Sequence, residues 1–109
     1  MPFAPQAAML DKAHARLVTI IVYAEFQAQF ERELKRLGAR GWTVSEVDGR
    51  GLHGARKDSL FVVGNVRFET LVSPSVAEAI LEYVDRAAET LEVVAFAQDV
   101  EAVPRKHFV

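Results

Sequence analysis

A switch in apolar periodicity between residues 17 and 37 constrains the fold of this chain most strongly. Residues Leu17–Tyr23 form a nearly continuous apolar, β-branched run, which is typical of a strand buried on both faces. Residues Glu25–Leu37 then repeat their apolar side chains at helical spacing, and Gly38 follows where helices commonly end. The apolar stripe of this helix consists of Phe26, Phe30, Leu34 and Leu37. The fold is therefore expected to begin as a buried strand joined directly to an amphipathic helix.

The rest of the chain continues the alternation of strand and helix signals. Ser73 and Pro74 supply a side-chain N-cap and a proline at the first helical position of a second helix. The further elements, in chain order, are a strand at Trp42–Val47, a strand at Asn65–Val72, a helix from Pro74 to about Thr90 and a strand at Glu92–Val103. The order β-α-β-β-α-β predicts an α+β, ferredoxin-like fold, in which two helices cover one face of a four-stranded antiparallel sheet.

Length and composition fit a single domain. The chain has 109 residues, half of them apolar, and we expect a flexible leader at 1–15 before a folded domain at 16–109. A net charge of −2 gives no electrostatic reason to expect nucleic acid as a partner. The absence of cysteine excludes disulfides and thiolate metal sites, and no apolar run reaches the 18 residues of a membrane span. A cytoplasmic protein without a metal is predicted.

The predicted sheet would leave one face without helices. Apolar residues occupy both faces of the strands, so this surface is expected to be buried, most simply by symmetric association of several copies.

The strand at Trp42–Val47 runs into a Gly-x-Gly turn. Glycines at 49 and 51 leave their backbone N–H groups accessible to an anion, and Arg50 lies between them. Such a turn can hold a phosphate-bearing ligand, although the spacing alone favours a simple hairpin bend. His53, just beyond the turn, can bind a small anion such as bicarbonate or be exposed to solvent.

Three segments, in matching order, resemble the PII signal-transduction superfamily. The strongest is Leu37–Gly51, which matches the PII run G-x-x-G-x-T-V-x-E-V-x-G-x-G. Asp99–Arg105 resembles the last strand and C-loop of PII, and Asn65–Glu69 corresponds to the strand after the T-loop. The similarity covers Leu17–Phe108 and is greatest to the shorter PII-like regulators associated with carboxysomes and bicarbonate transporters.

The resemblance implies a homotrimer that binds adenine nucleotides in the clefts between its subunits. The connection between the second helix and the last strand lacks the Gly-rich B-loop of PII, so ADP or AMP is expected rather than ATP, with bicarbonate as a further ligand in this group. The residues carried over are Ile21, Thr43 and Leu71 at the nucleoside, Gly49, Arg50 and Gly51 at the phosphates, Arg105 from the adjacent chain, and His107 in place of a PII arginine.

The implied function is non-enzymatic regulation. A loop at about 52–64 would take the place of the T-loop and engage a membrane transporter or another carbon-acquisition protein. It has no counterpart of the tyrosine that PII proteins use for uridylylation. The sequence does not decide whether the same protein also hydrolyses nucleotides weakly. The alternative is a CutA-like trimeric structural or metal-tolerance protein without a nucleotide site, and an acylphosphatase-like enzyme ranks third.

Overall fold

The computed structural model describes residues 10–48 and 64–108. Within these residues, four strands form one antiparallel sheet in the order β2-β3-β1-β4, and two helices pack on one of its faces. The elements are β1 (Ala13–Tyr23), α1 (Gln27–Leu37), β2 (Thr43–Val47), β3 (Asn65–Val72), α2 (Pro74–Ala87) and β4 (Val93–Ala102), with 3₁₀ turns at Ala24–Phe26 and Arg105–His107. The predicted ferredoxin-like fold is confirmed.

The boundaries of some elements differ from the sequence prediction. β1 begins at Ala13, before the predicted start of the domain at residue 16, because Ala13 and Ala15 pair with β4 and are only 3 % exposed. α2 ends at Ala87 rather than near Thr90. Residues 1–9 of the leader and residues 52–63 of the predicted T-loop lie outside the described residues.

The core lies between the helices and the helix-covered face of the sheet. Phe30 and Leu34 of α1 and Ile80 of α2 pack against Ile20 and Phe68 from the two central strands. The ring of Phe30 lies 6.3 Å from that of Phe68, and it meets the ring of Tyr83 edge-on at 5.5 Å between centroids. Phe30 and Leu34 belong to the apolar stripe that the sequence predicts for the first helix, and Ile20 belongs to the apolar run Leu17–Tyr23 that predicts a buried strand.

The opposite face of the sheet, called here the open face, has no helix over it among the described residues. The strand register places Leu17 beside Leu71, and Ile21 beside Val94. Val94 is 53 % exposed, and Phe96, two residues further along β4, is 46 % exposed. The open face therefore carries an apolar surface on β1 and β4 that is uncovered in the protomer.

Gly38 ends α1 in the left-handed conformation, with a φ of 113°. The N–H of Gly38 donates to the carbonyl of Lys35 at 3.2 Å, and the N–H of Ala39 donates to the carbonyl of Leu34 at 2.9 Å. This pair of bonds is the Schellman motif, and it turns the chain from the helix toward β2.

Replacement of Gly38 by alanine is expected to lower the free energy of unfolding by about 1–2 kcal/mol, because a Cβ is disfavoured in this conformation. The new Cβ would also lie 3.1 Å from Cγ2 of Val76. Urea denaturation measures the change. Gly41→Ala is the matched control, since a Cβ at that position meets no atom within 4 Å. Equal effects of the two substitutions would contradict the assignment.

Candidate functional site

A groove of about 680 Å³ lies at the end of the sheet where β2 starts and β3 ends. Its apolar walls come from Leu17, Trp42, Leu71 and Phe108. Its polar and charged lining comes from Thr43, Glu69, Arg40, Lys106 and His107, with further contacts from Gly41 and Thr70. Apolar walls combined with a few polar groups and cations fit a small anionic ligand that has an apolar part.

The C-terminal 3₁₀ turn carries three of the groove residues across the end of the sheet. β4 is an edge strand on the far side from β2, and the chain turns after Pro104. The N–H of His107 donates to the carbonyl of Pro104 at 3.1 Å, which closes the turn. Lys106, His107 and Phe108 thereby reach a groove that is built mainly by the opposite half of the sheet.

The loop between α1 and β2 forms another wall and is anchored to its surroundings. The hydroxyl of Thr70 donates to the carbonyl of Gly41 at 2.6 Å, which ties the loop to β3. The indole N–H of Trp42 donates to Oε2 of Glu31 on α1 at 3.3 Å. Trp42 packs against the core, and it also lines the groove.

Three of the predicted ligand residues meet in this groove. Thr43 is the first residue of β2, Leu71 lies near the end of β3, and His107 comes from the C-terminal turn. Leu71 is 42 % exposed although it is apolar, so its side chain is accessible to a ligand. The geometry therefore assembles residues that are far apart in the sequence.

Two other predicted residues lie away from the groove within their own protomer. Ile21 is in the middle of the open face, opposite Arg67 on β3 and Val94 on β4. Arg105 donates from Nη1 to the carbonyl of Lys12 at 3.3 Å, near the start of β1. Neither side chain is among the described residues that line the groove. The four remaining predicted residues, Gly49, Arg50, Gly51 and His53, lie outside the described residues.

Sequence reasoning missed Arg40, Glu69 and Lys106, all of which line the groove. A usable signal for Lys106 was its position between Arg105 and His107, both of which were predicted. Glu69 lies opposite Thr43 in the strand register, and its Oε1 is 3.8 Å from Nε of Arg67. Arg40 gave no signal, because it stands alone in a short loop.

Residues 10–48 and 64–108 contain no cluster of three or more histidine, aspartate or glutamate side chains that could hold a metal ion. None of the helices in this part of the chain is long and apolar enough to cross a membrane.

A ferredoxin-like sheet with an open face, and with a cation-lined groove at one end, defines an α+β protein with one candidate ligand site among its described residues. The chain belongs to the P-II family: the family model described as nitrogen regulatory protein P-II matches residues 15–107. It is accordingly a PII-like regulatory protein, in a family of signalling proteins. No match to a curated protein is found.

Solved structures agree with this assignment. A PII-like signaling protein from Thermus thermophilus is 31 % identical, with a TM-score of 0.75 over 91 % of this chain and 99 % of that one. CPII of Thiomonas intermedia, solved with ADP, AMP and bicarbonate, is 19 % identical, with a TM-score of 0.81 over 91 % and 97 % of the two chains. The GlnK–ATP complex of B. subtilis is 19 % identical, with a TM-score of 0.59 over 80 % and 82 %. The last two likenesses show the fold alone.

The family membership also bears on the alternative class that the sequence analysis named. The CutA-like alternative is not favoured, because the family model that matches is that of P-II.

Proposed function

We propose that this protein binds ADP or AMP, together with bicarbonate, at sites shared between the protomers of a homotrimer. The bound ligands control a bicarbonate transporter or another carbon-acquisition protein, which the segment at about 52–64 contacts. The protein acts in the cytoplasm and does so without catalysis. The observation that carries the proposal is the groove in which Thr43, Leu71 and His107 come together.

The chemistry of the groove supports a nucleotide. Leu17 and Leu71 offer an apolar surface that suits a purine ring, and Thr43 can donate or accept a hydrogen bond at its edge. Lys106 and His107 supply nitrogen donors for phosphate oxygens. CPII, which shares the fold, is a protein whose structure contains ADP, AMP and bicarbonate.

The placement of the other predicted residues supports a site shared between protomers. Ile21 lies on the open face, and Arg105 points toward the start of β1. In a trimer whose open faces meet, Ile21 of one protomer and the groove of the next could contact one ligand. Contact between open faces would bury the exposed apolar side chains of Val94 and Phe96, which favours association.

Regulation requires that the ligand favours one state of the partner-binding segment over the other. A differential binding free energy of about 1–3 kcal/mol changes the affinity for the partner about 5- to 150-fold. Such coupling needs no chemical step.

Isothermal titration of the full chain with AMP, ADP, ATP and cyclic AMP, each with and without bicarbonate, tests the proposal. We expect micromolar dissociation constants for AMP and ADP, and about tenfold weaker binding in His107→Ala, because one charged or dipolar contact to phosphate is lost. His14→Ala is the matched control, since His14 is exposed on β1 and is not among the residues that line the groove. Failure to bind any of these ligands would refute the proposal.

A further inference from the structure

The backbone on both sides of Arg40 is fixed by hydrogen bonds. The N–H of Ala39, the preceding residue, donates to the carbonyl of Leu34 at 2.9 Å, and Ala39 itself is buried. The carbonyl of Gly41, the following residue, accepts from the hydroxyl of Thr70 at 2.6 Å. Arg40 is thus an exposed side chain on a loop that is tied to α1 on one side and to β3 on the other. Such a side chain loses little backbone freedom when it binds a ligand.

The guanidinium of Arg40 has no ion pair and no side-chain hydrogen bond with any residue in 10–48 or 64–108. The neighbouring Arg36 differs in this respect, because it donates from Nη2 to Glu33 at 2.6 Å, and this hydrogen bond raises the pKa of Arg36. Within the described part of the chain, the donors of Arg40 are therefore available for a ligand.

Arg40 shares its surroundings with the C-terminal turn. It lines the groove together with Lys106 and His107, and it lines a smaller adjoining cavity of about 130 Å³ together with His107 and Phe108. Glu69 is the one acidic side chain among the described residues that line the groove, and it is within 3.8 Å of Arg67. The described part of the groove is thus a cationic site with no carboxylate paired to Arg40.

We propose that Arg40 is a specificity-determining residue that contacts the anionic end of the ligand, so that the groove prefers phosphorylated adenosine to adenosine. The inference rests on the proposed function, and it adds a contact from the α1–β2 loop to those of the C-terminal turn. A planar guanidinium can donate two parallel hydrogen bonds to phosphate oxygens, which an ammonium group cannot do in the same geometry.

Titration of wild type and Arg40→Gln with adenosine, AMP and ADP tests this role. We expect Arg40→Gln to weaken the binding of AMP and ADP about 10- to 100-fold, as the loss of a charge-assisted hydrogen bond implies, and to change adenosine binding less than twofold. Arg40→Lys should recover part of the loss, and the dependence of AMP binding on salt should be shallower in Arg40→Gln than in wild type.

Arg32→Gln is the matched control. It makes the same change at an exposed position of α1 that does not line the groove, and it should leave all three affinities unchanged. Equal losses for adenosine and AMP in Arg40→Gln, or no loss for AMP, would overturn the specificity role while leaving nucleotide binding intact. A wild-type protein that binds none of the nucleotides would instead overturn the proposed function, and this inference with it.

Discussion

Phe30→Ala is expected to lower the free energy of unfolding by about 3–5 kcal/mol, the range typical of aromatic-to-alanine changes in a core. Phe30 is fully buried, and its ring packs against those of Phe68 and Tyr83 at 6.3 and 5.5 Å. It therefore joins α1 both to the sheet and to α2. Since domains of this size are stable by only about 5–15 kcal/mol, the loss would be a large share of the total.

Urea denaturation at one fixed protein concentration measures this change, because association also contributes to the apparent stability. Phe30→Leu is the graded control: it keeps most of the buried volume and should cost clearly less than alanine. A loss below about 1 kcal/mol for Phe30→Ala would show that the centre of the core is elsewhere.

Most of the fold could be predicted because its signals are local. The helical repeat that includes Phe30 and Leu34, the glycine at the end of α1, and the proline at the start of α2 each act within a few residues. The first strand was predicted from the apolar run that starts at Leu17, whereas β1 starts at Ala13, because the local signal before Leu17 is weak. Ala13 and Ala15 alternate with His14 and Arg16, and such small residues give no strong apolar signal, although they are buried against β4.

The site could be predicted only in part because it is assembled by topology. The groove joins the start of β2, the end of β3 and the C-terminal turn, and these meet only once the strand order β2-β3-β1-β4 is known. Family resemblance supplied Thr43, Leu71 and His107. It could not supply Arg40, whose importance depends on the two hydrogen bonds that fix its neighbours and on the absence of an ion pair within the described residues.

The second large effect is expected on assembly. Phe96→Asp should convert the proposed trimer to monomers, because it would place a carboxylate on β4 beside the exposed apolar side chain of Val94 on the open face. Phe96 lies opposite Thr19 on β1 and is 46 % exposed in the protomer, so the substitution leaves the core untouched. An unpaired carboxylate buried by association costs several kcal/mol, enough to raise the dissociation constant by a factor of about 100 or more.

Sedimentation velocity of wild type and Phe96→Asp measures the assembly state, and circular dichroism checks that the protomer still folds. Ala28→Asp is the control, since Ala28 is exposed in the first turn of α1, where a negative charge is tolerated. If ligand sites are shared between protomers, Phe96→Asp should lose ADP binding together with assembly. Phe96→Asp monomers that bind ADP with wild-type affinity would show that the groove of one protomer is sufficient. A wild-type protein that is itself monomeric would contradict the proposal that protomers share a ligand site.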